Sequence, residues 1–553
     1  MALDLTAEQK DLGKHNYQTA RTAVDRRTFL GAVAGAGAAV PLSAAVYFGY
    51  STLDGKPVKA AMIGCGDEGG VLMGEHNPQY LEFVAACDIR PFNKDRILNG
   101  DPKVITLRKG MVAHYGKART KAVGDKHWYD DYKKMLDDEK DIEAVVIALP
   151  LHLHAEVAIE CMKRGKHVLC EKLMAQNIAD CKRMVAAAKE NKVILSIGHQ
   201  RHYSMLYGNA LDVVNSGVIG DIKHIRAYWH RNNTWDAKPD DTWEDSGKVV
   251  QPTLRDGWFP AITKKDFAEL PQATVEKYGY KSLEELIRWR AYNRTGGGLM
   301  AELGSHQMDA CSIFLGKVKP LSVMGVGQKS FYGPGKNDRE SDDHVFVTYE
   351  FPGKNHPNGP AKGTDPNDVV VVTYSSINTN GFENWGECLM GTRGMMVVEK
   401  EQEVYLYKEP QPAASPAQDA KKTAVAVTTT PAGKPALEAS STLGGPSAAA
   451  VKADAGPGAP VSRGYREEME HFAVCVRKWN KGTGYQTNTD GKYVQELPRC
   501  HGEVAMADAI LALTANMAMK QRVRIAFDPK WFKADDATVP ETQFGGDRPP
   551  AVA

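Results

Sequence analysis

Val58-Lys59-Ala60-Ala61-Met62-Ile63-Gly64-Cys65-Gly66-Asp67-Glu68-Gly69 decides the fold. A short apolar run leads into Gly-x-Gly-x-x-Gly. Phe83-Val84-Ala85-Ala86-Cys87 is a second apolar run, closed by Asp88. Strand, glycine turn, helix, strand and acid form the layout of a dinucleotide-binding βαβ unit. Gly64 permits the tight turn, Gly66 lets the backbone approach a pyrophosphate, and Gly69 lets the helix close on the strand. The phosphates then meet the free N–H groups of a helix N-terminus. Asp88 accepts from a ribose hydroxyl, which favours NAD; Arg90 nearby leaves NADP open. Asp67 and Glu68 put carboxylates beside the expected phosphates, at small cost if they cap the helix or face solvent.

The βα rhythm continues beyond Asp88. Ile142–Leu149 is almost wholly apolar, as suits a parallel sheet covered on both faces. Ala155–Arg164 has helical period and ends at Gly165. His167–Cys170 and Val193–Gly198 read as strands, and Cys181–Asn191 as a helix. A doubly wound Rossmann domain is therefore predicted over 57–201. Longer strands follow at Leu321–Val326, Val345–Phe351 and Val369–Ser375, after one at Ile222–His230. They predict an α+β substrate and oligomerisation domain over 202–525, built on a large, mostly antiparallel open sheet. Residues 409–460, rich in Ala, Pro, Thr and Ser, read as a disordered insertion. Helices resume at Arg466–Trp479 and Val504–Met519, and 526–553 reads as a tail.

The chain has 553 residues and a net charge of +1, with both signs interspersed. No basic stripe marks a nucleic-acid surface. The nine cysteines stand singly, with no C-x-x-C pair, so neither a disulfide framework nor a metal site is expected. Arg26-Arg27-Thr28-Phe29-Leu30 precedes an Ala/Gly-rich apolar stretch within residues 1–50. This resembles a twin-arginine export signal, which carries folded, cofactor-loaded proteins to the periplasm or cell envelope. The run approaches the length of a spanning helix, so an uncleaved membrane anchor is the alternative.

Three further motifs share the chain with the fingerprint. Pro150-Leu151-His152-Leu153-His154 follows one strand, Glu171-Lys172 follows the next, and Gly296-Gly297-Gly298-Leu299-Met300-Ala301-Glu302-Leu303-Gly304-Ser305-His306-Gln307-Met308-Asp309 lies in the second domain. Together they resemble the glucose–fructose oxidoreductase / inositol dehydrogenase / MocA family, over most of 57–520. The resemblance implies NAD(P) chemistry on sugars, cyclitols or their derivatives, and a homo-oligomer, dimer or tetramer. It implies Lys172 as the polarising lysine and His306 as the general acid/base. Leu173 stands where the family has proline. Glu302 stands where many relatives have Asp; on a helix it shares a face with His306, where it would set the imidazole tautomer or, one methylene longer than Asp, contact substrate or Lys172 instead. Pro150, His154 and Glu171 fall in the cofactor loops. Arg201 and Tyr203 at the domain junction, Trp229 and His230 at a strand end, and Asp309 are weaker substrate candidates, with packing the competing role for the aromatics.

Three functions fit this pattern. The first is an exported oxidoreductase with a tightly held nicotinamide cofactor, acting on a sugar or polyol. The second is an NAD-dependent glycosidase or lyase that oxidises its sugar transiently. The third is a non-catalytic sugar-binding envelope protein on the same fold.

Overall fold

Six parallel strands form the first sheet in the order β3-β2-β1-β4-β5-β6. They are β1 Val58–Ile63, β2 Leu81–Cys87, β3 Trp128–Tyr129, β4 Ala144–Ile147, β5 His167–Glu171 and β6 Leu195–Gly198. Strand order reverses between β1 and β4. The register pairs Ile63 with Cys87 on one side and with Ile147 on the other, and Ile147 with Cys170. Gly64, Asp88, Ala148 and Glu171 thus stand together just past the carboxyl edge, where such sheets bind ligands. The computed structural model describes residues 5–33, 44–50, 52–232, 243–245, 248–250, 256–260, 262, 264–332, 339–409, 425–429, 435–439 and 462–546.

Alternation along the strands builds two cores. Val58, Ala60 and Met62 face one way with Phe83 and Val146, and are covered in part by the helix Tyr465–Lys478 through Phe472, Ala473 and Val476. Ala61, Ile63, Val145 and Ile147 face the other way, into a core that runs on into the second domain. The helix Tyr465–Lys478, expected with the second domain, therefore completes the first one. Its buried stripe, Tyr465, Met469, Phe472, Ala473 and Val476, meets the Val58 face of the first sheet.

The second sheet has eight strands. They are β7 Ile222–His230, β8 Ser322–Gln328, β9 His344–Pro352, β10 Val369–Ile377, β11 Trp385–Gly391, β12 Gly394–Glu399, β13 Glu403–Lys408 and β14 Ile525–Ala526. The order is β13-β12-β11-β7-β10-β9-β8-β14. Only β7 and β10 pair in parallel; the other neighbours are antiparallel. One face buries Val345, Val347, Val370 and Val372 against the helices Ser305–Phe314 and Gly502–Gln521. The other leaves Met324, Val326, Phe346 and Val371 exposed. The fold class is thus the expected Rossmann sheet joined to a mostly antiparallel mixed sheet.

The structure adds detail in three segments. Residues 7–33 form one helix. Its first half packs on edge strand β13, where Lys14 pairs with Glu403 at 2.6 Å and Asn16 Nδ2 donates to the Leu406 carbonyl at 3.0 Å. Farther on, Tyr47 donates to Asp212 at 2.6 Å and Phe48 is buried. No described helix is long and apolar enough to cross a membrane. Within 409–460, Val425–Thr429 and Pro435–Ala439 pair as a hairpin; apart from these strands and Glu409, that insertion lies outside the described residues. Residues 526–546 are not a loose tail. Trp531 is buried, and Lys182 donates to the carbonyls of Lys530, Asp536 and Thr538 at 3.2, 2.6 and 2.8 Å.

Lys182→Ala should remove all three bonds of this buried lysine, each worth about 0.5–1.5 kcal/mol. The expected outcome is a lower thermal midpoint with early tryptic cleavage at Lys530 and Lys533; unchanged digestion would show that the segment is held elsewhere.

Candidate active site

The site grows from the turn after β1. Gly64 has φ +91°, and a Cβ there would meet the Ala148 carbonyl oxygen at 2.3 Å, so no other residue fits. Gly69 is closed off likewise, by the Gly64 carbonyl oxygen at 2.2 Å. A Cβ on Gly66 would meet nothing within 4 Å. It would project into open space in front of the helix Asp67–Glu75, whose Gly66 cap supplies no side chain to the free N–H groups. That arrangement is an anion cradle. Of the two odd carboxylates, Asp67 is accounted for, while Glu68 lines the cavity with a buried oxygen that has no partner. Burial opposes a charge on Asp67, but Arg96 and Arg108, at 2.5 and 3.2 Å, hold its carboxyl below the usual range.

Asp88 closes β2 and lines the same cavity, whose volume is about 1530 Å³. Its carboxylate accepts from the backbone N–H of Cys65 at 2.7 Å, from that of Arg90 at 2.7 Å and from Asn93 Nδ2 at 3.0 Å. Burial pushes its pKa up against these bonds. One of its roughly four lone-pair positions stays open. Arg90 is committed elsewhere: its fork grips buried Asp266 at 2.6 and 2.7 Å.

At the far end of the cavity three motifs converge. Lys172 follows β5, and the Lys172–Leu173 peptide is cis. Its ammonium donates to the Glu302 carbonyl at 2.7 Å, across the domain junction. Glu302 lies in a π-helical turn, Met300–Gly304, that runs into the helix Ser305–Phe314. The wider turn breaks the i, i+4 alignment expected of Glu302 and His306. The Glu302 carboxylate instead accepts from Arg290 Nε at 2.8 Å, and no hydrogen bond joins it to His306. Burial opposes its charge, but Arg290 and Lys172 hold it below the usual range. Glu302 is thus a charge partner of the cations and not the orienter of the imidazole.

His306 lines the cavity and is 9% exposed. Trp229 lies beside it, ring centroids 5.5 Å apart. Burial, with the positive charges of Lys172 and Arg201, pushes its pKa well below the ordinary value. The ring is neutral at physiological pH and competent to take a proton. Glu171 also lines the cavity. Burial, then the charge of Glu68, pushes its carboxyl well above the usual range, and one of its oxygens has no partner. Pro150 stands at the cavity wall, ahead of the turn Leu151–Leu153.

Five expected site residues lie elsewhere. His154 is buried, its nitrogens 2.8 Å from the Leu173 and Leu149 carbonyls. Burial pushes its pKa down, so the neutral ring donates to one of them; it braces the Lys172 loop and does not reach the cavity. Arg201 is buried against Glu401 and Glu387, at 2.5 and 3.3 Å. Tyr203 is 2.8 Å from His471 Nδ1 and accepts from the Arg499 N–H at 2.7 Å. His230 turns to the opposite sheet face, toward the Phe382 carbonyl and Ser375. Asp309 lies behind His306, bonded to Lys317 at 2.6 Å and His202 at 2.8 Å. Lys317 also bonds Asp508 at 2.9 Å, so a side-chain ammonium already fills the centre of this acidic group. The nine cysteines are all free and buried.

Sequence reading passed over Arg290 and took Arg231 only as part of the strand-end stretch 228–233 that could line a sugar site; both line the cavity. The signal for Arg231 was present: strand side chains alternate, so Trp229 goes with Arg231 and not with His230.

Gly66→Ala should fold with its stability unchanged within about 0.5 kcal/mol, because its methyl meets only open space, yet lose nucleotide affinity at least about tenfold. Gly64→Ala, which drives a methyl into a carbonyl, should lower the thermal midpoint. Calorimetric melts with nucleotide titration separate the two; equal affinity in Gly66→Ala and the parent would remove the cradle from consideration.

Two family signatures match the chain: "Oxidoreductase family, NAD-binding Rossmann fold" over residues 58–199 and "GFO/IDH/MocA C-terminal domain" over 272–397. Inositol 2-dehydrogenase of Salmonella paratyphi B is 38% identical over 103 residues, 18% of this chain and 30% of that protein. The 2,7-anhydro-N-acetylneuraminate hydratase of Mediterraneibacter gnavus is 33% identical over 216 residues, 39% of this chain and 44% of that protein. The chain spans less than half the length of these curated relatives. An inositol dehydrogenase homolog from Azotobacter vinelandii, solved with NADH and myo-inositol, superposes with a TM-score of 0.52 at 14% identity, covering 85% of this chain and 98% of that one. Both signatures fall in order on the two sheets described above, so the chain matches the NAD-binding Rossmann domain of this oxidoreductase family over 58–199 and the GFO/IDH/MocA C-terminal domain over 272–397.

Proposed function

We propose that this protein is an NAD-dependent oxidoreductase acting on a CH–OH group of a sugar, cyclitol or sugar derivative. One observation carries the reading: the Lys172 ammonium, the neutral His306 ring and the glycine-turn cradle open into a single cavity. The residues present fit the cofactor. The Gly66 cradle and the helix N-terminus would take its pyrophosphate, and Asp88 its ribose. Bound there, NAD supplies the hydride acceptor. With one N–H committed to the Glu302 carbonyl, Lys172 has two left for the reacting oxygen, and it stabilises the charge that builds there. His306 removes the hydroxyl proton. Pro150 and Glu171 border the nicotinamide end. NAD is favoured over NADP because Arg90, beside Asp88, is already neutralised by Asp266.

The printed names of relatives support a sugar-like substrate, since they include an inositol dehydrogenase and an anhydro-sugar hydratase. The hydratase favours a second reading, transient oxidation followed by elimination or hydration with the cofactor retained. Net NADH formation separates the two. We also propose export through the Arg26-Arg27 segment, with the cofactor carried along, to the periplasm or cell envelope. A homo-oligomer is proposed through the exposed apolar face of the second sheet, on which Met324, Val326 and Phe346 lie.

Lys172→Met should lower turnover about 10²–10³-fold with nucleotide affinity intact, measured by NADH formation over a panel of sugars and cyclitols. Turnover that survives this change would reject the assignment. Because His306 acts as the neutral ring, kcat/KM should stay level as pH falls through about 6.5 and decline only below it. An acid limb centred at or above that value would mean that the base is another group. Asp266→Asn should free Arg90 and shift the NADP-to-NAD affinity ratio toward NADP by about tenfold, read by fluorescence titration.

A further inference from the structure

Arg231 has no task in the reaction just described. It follows β7 and presents its side chain on the Trp229 side, its guanidinium 5.0 Å from the Trp229 ring centroid. The His306 ring lies 5.5 Å from that same indole. Arg231 lines the cavity beside Arg290, Glu302 and Lys172. The neighbouring cations have their anions: Arg290 bonds Glu302, Arg90 bonds Asp266, and Arg96 and Arg108 bond Asp67 and Asp101. Among the described residues Arg231 has neither an ion pair nor a side-chain hydrogen bond, although it is half-buried. The Trp229 indole N–H, in the same wall, is buried with no partner as well.

The charge balance at this end of the cavity is therefore lopsided. Lys172, Arg231 and Arg290 bring three positive charges, and Glu302 brings one negative charge. A half-buried guanidinium with no anion is costly, and its planar fork matches a carboxylate bidentately. A neutral hexose or cyclitol would leave the excess standing.

We propose that Arg231 is a specificity residue that grips the carboxylate of an acidic sugar, so that the substrate of this enzyme is a sugar acid and not a neutral sugar. The inference rests on the oxidoreductase reading and narrows it. Lys172 and His306 address the reacting hydroxyl, while Arg231, across the Trp229 ring, holds the acid group and sets which hydroxyl lies between them.

The test uses the full chain with NAD and matched pairs of probes: D-glucuronate against D-glucose, D-galacturonate against D-galactose, and the corresponding hexose 6-phosphates. NADH formation and binding of each probe to the NADH-loaded protein are both measured. The expected result is a preference for hexuronates over their hexoses of at least about tenfold in affinity. Arg231→Gln should abolish that preference with NADH affinity unchanged, which also shows that the variant is folded. Arg231→Lys, which keeps the charge and loses the fork, should restore part of it. Equal handling of hexuronates and hexoses, or a preference that survives Arg231→Gln, overturns the inference and leaves the oxidoreductase reading standing. Selection of the phosphates over the hexuronates overturns the carboxylate assignment. NADH bound but never formed, with no probe bound, overturns the oxidoreductase reading itself and the inference with it.

Discussion

The hydrogen bond from Lys172 Nζ to the Glu302 carbonyl, 2.7 Å long, joins the two domains at the point where the chemistry is expected. It links a loop at the carboxyl edge of one sheet to a π-helical turn above the other. An ammonium has three donors. With one turned to the protein, the others are aimed, and they are aimed into the cavity that His306 lines. Gln176 reinforces the same joint by donating to the carbonyls of Asn293, Arg294 and Gly296 at 2.8, 3.0 and 2.9 Å. The glycine run before His306 is thereby fastened to the segment after Lys172. A relative shift of the domains by one residue would separate lysine from histidine.

Charge in the interior is arranged around that joint. Burial opposes the charged form of these groups, and it pushes His306 and His154 down and Glu171 up. Away from the cavity, charged groups have partners, Asp309 with Lys317 and Arg201 with Glu401, as Glu302 has Arg290 at its wall. Asp309 and Lys317 form a layer behind the helix Ser305–Phe314, and Arg201 forms another beneath it. These charges act on His306 through space without touching it. This is why a residue such as Arg201 looks like a substrate ligand in sequence and proves to be an internal strut. Breaking such a pair leaves an uncompensated buried charge, which costs about 3–5 kcal/mol.

The N-terminal helix and the C-terminal segment act as straps on this frame. The first covers edge strand β13, through Lys14 and Asn16, whose amide satisfies the Leu406 carbonyl. The second adds β14 to the other edge and then folds back onto the Rossmann helix Ile178–Glu190 through Lys182. Both edges of the large sheet are thus capped within the chain, while its outer face stays open.

Local pattern determined a great deal here. The strand–Gly64-x-Gly66-x-x-Gly69–helix unit, the apolar run of β4 and the alternation of β9 and β10 are written in neighbouring residues, because backbone sterics and side-chain period act over a few positions. The motifs around Lys172 and His306 were legible only through their resemblance to a known family. Tertiary structure alone decided the rest. The returning helix Tyr465–Lys478 chose the first sheet because that face lacked a cover. Glu302 turned to Arg290 because a π turn widened its helix. Arg201, Tyr203 and His154 were drawn inward by partners up to hundreds of residues away. Charge pairing and burial are settled between distant segments, so a single sequence names the groups but not their partners, and the same arginine reads alike whether it ends as a strut or as an open hand in the cavity.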